Sequence, residues 1–376
     1  MIYLDNVSGI PPLEEVKNNI NKNLSYSYNP SSSYSLGQKV NSEIQKTRNL
    51  IGDIFNITPN NVIFTSGATE ANNLAIFGYK NKRNTPYSIA YLGFEHNSIT
   101  KPLKYLEKQG HSLVKLNYDD IVNNIDKVVN ILKENKVSFL ALSHSYPNIG
   151  ILLPIEKIVK KIKTELTRIH IHIDMAQSFM KTDLKMANID SISISGHKIG
   201  ALKGVGALIL KNNQLINPII MGGKQNFSLR SGTENILGIL SFKDAITVWN
   251  NNKELFKNNL LDLNICFRKQ FKIVFSENKN VKLITPSENY TRNIITIAVK
   301  NILSEHIIRF LDEKEIMISA SSTCSDLNYK PPFLDLINLP KEFHNGIIRV
   351  SFSPFNKNSE IDSFFEYFQK GIEYFK

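Results

Sequence analysis

The chain has 376 residues, enough for a large core and two lobes, and its 42% hydrophobic and 21% charged content is that of a soluble globular protein. A net charge of +11, from 45 Lys and Arg against 34 Asp and Glu, raises nucleic acid as a partner, but the cations are scattered, as in IVKKIKTELTR, without interleaved aromatics or zinc-finger spacing, and no direct nucleic-acid binding is expected. No apolar run is long enough to span a bilayer, the strand-like MIYLDN begins at residue 1 and leaves no room for a signal peptide, and two cysteines, Cys266 and Cys324, are too few for a disulfide framework; the expectation is a cytoplasmic, reducing setting.

In chain order, Val40, Ile44, Leu50, Ile51, Ile54 and Phe55 recur at helical spacing, and NVIFTSGATEANNLAIFGY then reads as strand, glycine turn and helix. SIAYL, SLVKL, VSFLALS, IHIHID, SISIS and GALIL follow as strands, with helices near 97–109, 120–135 and 154–167 between the earlier ones. This alternation predicts an α/β fold, a mostly parallel sheet covered by helices on both faces. From about Thr233 a helical stretch leads to NIITIAV, IMIS and GIIRVSF, a smaller α+β domain. The predicted boundaries are 12–250 for the large domain, and 1–11 with 251–376 for the small one.

Open parallel sheets bind ligands beyond the carboxyl ends of their strands, so residues there are informative. Ser66-Gly67-Ala68-Thr69 lies between a strand and a helix, where free N–H groups and the helix dipole favour a phosphate, although a plain N-cap reads equally well. IHIDMAQ ends its strand in Asp174, with Gln177 three residues on; a buried carboxylate there needs a cationic partner, and a protonated ring nitrogen would serve. His170 and His172 share a strand face and read as packing in preference to metal ligands, while His96 follows another strand. SISIS has the period-2 pattern of a half-buried strand and runs into Gly196, His197 and Lys198. Phosphate cup, carboxylate, flat imidazole and lysine amine together form the set that pyridoxal phosphate requires.

TSGATEANNLAI, EHNSI, HIDMAQS, SISGHK, RSGT and TCS…IIRVSF resemble the successive motifs of the cysteine desulfurases, fold-type-I pyridoxal-phosphate enzymes of aminotransferase class V, in order along nearly the whole chain. The resemblance implies that Lys198 is the Schiff-base lysine, that Ala68 and Thr69 contact the cofactor or its phosphate, and that Ser195 and His197 hold the phosphate. It implies that His96 stacks on the ring and assists proton transfer, that Asp174 pairs with the ring nitrogen, and that Gln177 reaches the phenolic oxygen. Thr233 would reach the phosphate of the other subunit in a homodimer. Arg349 would grip the substrate carboxylate by two parallel hydrogen bonds, and Cys324 would be the nucleophile.

The chain departs from the family pattern in places. Pro147 stands where the family has an asparagine contacting the cofactor, with Asn148 one place later; around the substrate rim, Asn226 and Phe227 replace charged residues, and Ser321 replaces a glycine. The implied activity is conversion of L-cysteine to L-alanine with a persulfide on the enzyme, passed to a scaffold or acceptor protein for iron–sulfur cluster assembly or tRNA thiolation. Selenocysteine lyase, a class V aminotransferase, and a degenerate member acting as a binding or scaffold protein are the alternatives. Cys266, in a helical apolar pattern, is expected to pack as a small hydrophobe.

Overall fold

Between residues 62 and 210 short apolar runs alternate with amphipathic ones, the pattern of strands covered on both faces by helices. In the computed structural model, which describes residues 1–80, 85–321 and 332–375, these runs form one seven-stranded sheet. Its strands are β1 (Val62–Thr65), β2 (Ser88–Leu92), β3 (Ser112–Leu116), β4 (Val137–Ser143), β5 (His170–Asp174), β6 (Ser191–Ser195) and β7 (Gly206–Leu210). The order is β1-β7-β6-β5-β4-β2-β3. Pairs are parallel except those of β7, which runs antiparallel to both β1 and β6. The carboxyl ends of six strands therefore share one edge with the start of β7, and every predicted motif of this sheet follows such an end.

Two expectations change. The helix predicted over 120–135 is two helices, Tyr118–Asn123 and Ile125–Glu134, because Asn124 leaves the helical region (φ −140°, ψ 61°) and its side chain accepts from the Lys127 N–H. The alternation in SISIS does not mark a water-facing row: Ser191, Ser193 and Ser195 are all buried, and the polar row is an interior hydrogen-bonding face.

Gly206 opens β7 between Thr65 and Ser195. A Cβ there would lie 2.6 Å from Gly67 Cα and 2.6 Å from the Ile194 carbonyl oxygen, backbone atoms that cannot swing aside. Gly206→Ala is expected to cost about 1–3 kcal/mol of overpacking strain. Urea unfolding against the wild type checks this, and an unchanged midpoint would contradict it.

Contacts divide the chain into two compact units, Ile10–His144 with Pro154–Asn251, and Met1–Gly9 with Ser145–Leu153 and Asn252–Lys376. The larger unit holds the seven-stranded sheet, and within it helix Ser35–Phe55 buries Val40, Ile44, Ile51 and Phe55. The smaller unit holds an antiparallel sheet of β8 (Val281–Leu283), β9 (Ile294–Val299), β10 (Ser319–Ala320) and β11 (Ile347–Ser351), in the order β8-β9-β11-β10. Helices Lys253–Phe275 and Asn358–Tyr374 pack through phenylalanines, with Phe267 and Phe365 ring centroids 4.7 Å apart. Ile2–Tyr3 pairs in parallel with Ile316–Met317.

These units differ from the predicted boundaries at residues 10, 11 and 251 and, chiefly, at Ser145–Leu153. That hairpin is held by the smaller unit: Leu152 N–H donates to Asn289 O at 2.7 Å, Thr291 N–H to Gly150 O at 2.7 Å, and Thr296 Oγ1 to Asn148 O at 2.9 Å. Partners about 140 residues away leave no local mark in a nine-residue stretch.

Candidate active site

The turn after β1 is built for close approach. Gly67, the N-cap of helix Ala68–Gly78, has φ 157° and ψ −179°, a region populated almost only by glycine, and makes no side-chain cap. Thr65 Oγ1 donates to Gly67 O at 3.0 Å, and Ser66 N–H donates to Glu70 Oε2 at 2.8 Å, with Glu70 paired to Arg230 at 2.8 Å. Helix N-termini leave their first N–H groups without intrahelical acceptors, and here these belong to Ala68, buried, and Thr69, exposed. A Cβ on Gly67 would sit 3.8 Å from Ser195 Oγ, so the hydroxyl at the end of β6 adjoins this turn.

Beyond Ser195 the chain makes one 3₁₀ turn, Gly196–Ile199. It is pinned from several sides: Gly196 N–H donates to Val205 O at 3.0 Å, Ile10 N–H to His197 O at 3.0 Å, and Trp249 Nε1 to Ile199 O at 2.9 Å. Ser195 Oγ and His197 Nδ1 lie 3.0 Å apart. Burial first, then the charges of Lys198, Lys203 and Lys181, push His197 down to about 4. Lys181, which the sequence reading did not single out, is buried, donates from Nζ to Gln177 O at 3.2 Å, and is pushed down to about 7 by burial and then by Lys198. Three lysines bearing on one imidazole make a cationic neighbourhood suited to an anion.

Asp174, at the end of β5, is buried. Its Oδ2 accepts from Asn72 Nδ2 at 2.8 Å and its Oδ1 from Ala176 N–H at 2.8 Å, so two neutral donors meet the carboxylate for which a cationic partner was anticipated. Gln177 is half-buried in the turn that follows. The loop after β2 is tied to the end of β4 by Glu95, whose carboxylate accepts from Ser143 N–H at 3.0 Å and Ser143 Oγ at 2.5 Å. His96 then caps helix Asn97–Lys108, its Nδ1 accepting from Ser98 N–H at 3.1 Å and lying 2.8 Å from Ser98 Oγ, with the ring exposed. His144 is buried where β4 ends; its N–H donates to Asp174 O at 2.9 Å, and burial pushes its ring down to about 4.

His170 and His172 are spent in the core. His170 stacks on Phe139 with centroids 4.9 Å apart, both rings reach Ser191 Oγ, and burial pushes each down to about 3. No group of three or more His, Cys, Asp or Glu gathers to hold a metal among the described residues.

In the larger unit Thr233 is exposed on the loop before helix Ile236–Asn251. Asn226, anticipated at the substrate rim, is instead buried: its Oδ1 accepts from Arg48 Nη2 at 2.9 Å and from Phe64 N–H at 3.0 Å, bracing β1. The Arg48 guanidinium lies between the rings of Phe64 and Phe227, 4.8 and 4.9 Å from their centroids. A buried amide that satisfies a strand N–H and an arginine is a framework residue.

In the smaller unit Arg349 on β11 is buried, its Nη2 donating to Ser319 Oγ at 2.8 Å and pairing with Asp5 Oδ1 at 3.2 Å, while Nε has no hydrogen-bond partner among the described residues. Burial pushes this guanidinium below its ordinary range and Asp5 pulls it back. The Asn148 carbonyl accepts from the hydroxyls of Thr296 and of Ser321, which is buried. Cys324 lies outside the described residues. Cys266 is only half-buried, and burial, then Asp362, raise its thiol pKa. Asn72, Ser98, Glu95 and Lys181 were the residues sequence reasoning missed; the first three lay inside quoted motifs, as the paired asparagines of TSGATEANNLAI do, whereas Lys181 lies three residues beyond HIDMAQS.

The profile of the aminotransferase class-V family matches residues 2–364, and a protein of Ehrlichia chaffeensis named cysteine desulfurase IscS is 31% identical over 89% of this chain and 82% of its own length. This chain belongs to the class-V aminotransferase family, among its cysteine desulfurases. The cysteine desulfurase IscS of Dictyoglomus turgidum is 29% identical over 99% of this chain and 94% of its own. Among solved structures, a NifS-like protein from Rickettsia africae matches with a TM-score of 0.86 at 26% identity, covering 99% of both chains. A structure described as SspA in complex with cysteine matches with a TM-score of 0.80 at 25% identity, covering 95% of this chain and 100% of that one. The class-V chain also has no helix, among its described residues, long and apolar enough to cross a membrane.

Proposed function

We propose that the protein is a pyridoxal-phosphate-dependent cysteine desulfurase that converts L-cysteine to L-alanine and leaves the sulfur as a persulfide on Cys324. The observation that carries the cofactor assignment is the uncapped helix start at Gly67 lying beside Ser195 Oγ, itself 3.0 Å from His197 Nδ1, where free N–H groups, a hydroxyl and an imidazole converge as a phosphate requires. Ala68 and Thr69 N–H groups, the Ser195 hydroxyl and His197 hold that phosphate. Asp174 takes the ring nitrogen, Gln177 and Asn148 are further cofactor contacts, and Lys198 is the covalent anchor. Bound there, pyridoxal phosphate supplies an electron sink for a carbanion at the substrate Cα.

The chain's own groups do the rest. Lys198 Nζ takes and returns the Cα proton, and His96 assists proton transfer. Arg349 takes the substrate carboxylate. Cys324 Sγ, as thiolate, attacks the substrate sulfur: the substrate C–S bond breaks, the S–S bond forms, and the released carbon takes a proton to become the methyl of alanine. A homodimer in which Thr233 reaches the partner's phosphate, a cytoplasmic setting, and a scaffold or acceptor protein that takes the persulfide sulfur for iron–sulfur clusters or tRNA thiolation complete the reading.

The test is incubation of the purified protein with L-cysteine and a reductant. Alanine and sulfide are expected in equal amounts, with Cys324→Ser forming no persulfide and Cys266→Ser turning over as the wild type does. An oxo-acid product, or Cys324→Ser at the wild-type rate, would overturn it.

A further inference from the structure

Asn72 stands in helix Ala68–Gly78, fully buried, and every hydrogen-bonding site of its amide is used. Nδ2 donates to Asp174 Oδ2 at 2.8 Å and to Ser98 Oγ at 2.8 Å; Oδ1 lies 2.9 Å from His172 Nε2 and 2.5 Å from Ser193 Oγ. A carboxylate only accepts, so the amide cannot be flipped, and each further proton follows from that one constraint.

On one side, the two groups at Oδ1 must donate. His172 therefore carries its proton on Nε2, and its Nδ1, neutral because burial holds the ring near 3, accepts from the Ser191 hydroxyl at 2.9 Å. Ser191 in turn accepts from His170 Nε2 at 2.8 Å. From His170 through Ser191, His172 and Asn72, every hydrogen bond points its donor toward Asp174. On the other side, Ser98 Oγ accepts from Asn72 and so turns its own proton to His96 Nδ1, the atom that also accepts from Ser98 N–H. Neutral His96 then bears its proton on Nε2.

The geometry points to Asn72 as a positioning residue for the reaction, one amide that orients the Asp174 carboxylate and, through Ser98, fixes the proton of His96 on Nε2. The inference rests on the desulfurase reading for what Asp174 and His96 do, but its structural core concerns proton placement alone. It also accounts for the serines of SISIS: Ser191 and Ser193 supply the hydroxyls that close this network.

The test is nitrogen NMR of the full chain labelled in its eight histidines, with signals assigned by single replacements, on the wild type, Asn72→Leu and Ser98→Ala. In the wild type His96 and His172 are expected as single Nε2–H forms. Ser98→Ala should move the His96 nitrogens and leave those of His172, whereas Asn72→Leu should move both and lower kcat on the order of 10²-fold with little change in KM, the effect of a misplaced catalytic group. A proton on Nδ1 of either wild-type ring, or a folded Asn72→Leu with both rings unchanged, would overturn the proposal. If Asn72→Leu does not fold, Ser98→Ala decides: unmoved His96 nitrogens overturn it. These signals need no substrate, so a failure here is distinct from absence of alanine and sulfide, which would sink the desulfurase reading instead.

Discussion

Lys198→Ala is expected to fold as the wild type does and to lose turnover on the order of 10⁴-fold, the upper range for a group that moves a proton in the transition state. The turn that presents Lys198 is held by backbone groups and by Trp249, Ile10 and Val205, none of which involves the lysine side chain. Truncation therefore removes the amine and leaves its mount. Pyridoxal phosphate added to the wild type should become attached so that borohydride makes the link permanent, with a visible absorption band; the variant should release it on dialysis. Asp174→Ala is the companion measurement, since it removes a carboxylate that accepts from Asn72 and Ala176 and leaves Lys198 in place. It should keep the reducible link yet lose most turnover. A Lys198→Ala protein that still forms a reducible link and turns over cysteine would refute the assignment of this lysine.

Much of this site could be read from the residues because its parts are local. A strand, a tight turn and a helix start fit within ten or so residues, so SISISGHK and VIFTSGAT each carry both the chemistry and its placement. The shared edge followed from alternation alone, since strands joined by helices are parallel and end on one side. What escaped depended on partners far along the chain. Ser191 and Ser193 look like a solvent face until His172 and Asn72, 19 and 121 residues away respectively, are set against them. The Ser145–Leu153 hairpin is apolar enough for the larger core, and only its hydrogen bonds to residues near 290 assign it elsewhere. Asn226 was misread for the same reason: its role is set by Arg48, 178 residues before it.

The stability of the protein is expected to fall steeply as pH drops from about 6.5 to 4, and to rise gently from pH 7 to 10. Three buried histidines drive the first change: His170 and His172 are held near 3 and His144 near 4, against an ordinary value of 6.5, chiefly by burial. Across that window the unfolded chain binds protons that the folded chain refuses, so acid favours unfolding. At pH 5 each such ring lies below its unfolded pKa and above its folded one, so the loss is about 2 kcal/mol per histidine whatever the folded value below 5. Three of them approach about 6 kcal/mol, comparable to the whole margin of a typical domain. Lys181 acts in the other window. Its folded value near 7 lies below the ordinary 10.5, so burying its ammonium costs most below pH 7, and the cost fades as pH rises and the unfolded chain gives up the same proton. Lys181→Met should therefore raise the urea midpoint clearly at pH 6 and hardly at all at pH 10. His172→Gln should lower the midpoint at pH 7, because a ring bonded to Asn72 and Ser191 is gone, while making the acid slope shallower. Urea titrations of the three proteins at pH 4.5, 6, 7, 8.5 and 10 measure both windows. A midpoint flat from pH 6.5 to 4.5, or a Lys181→Met shift of equal size at pH 6 and 10, would show that these groups are not buried as described.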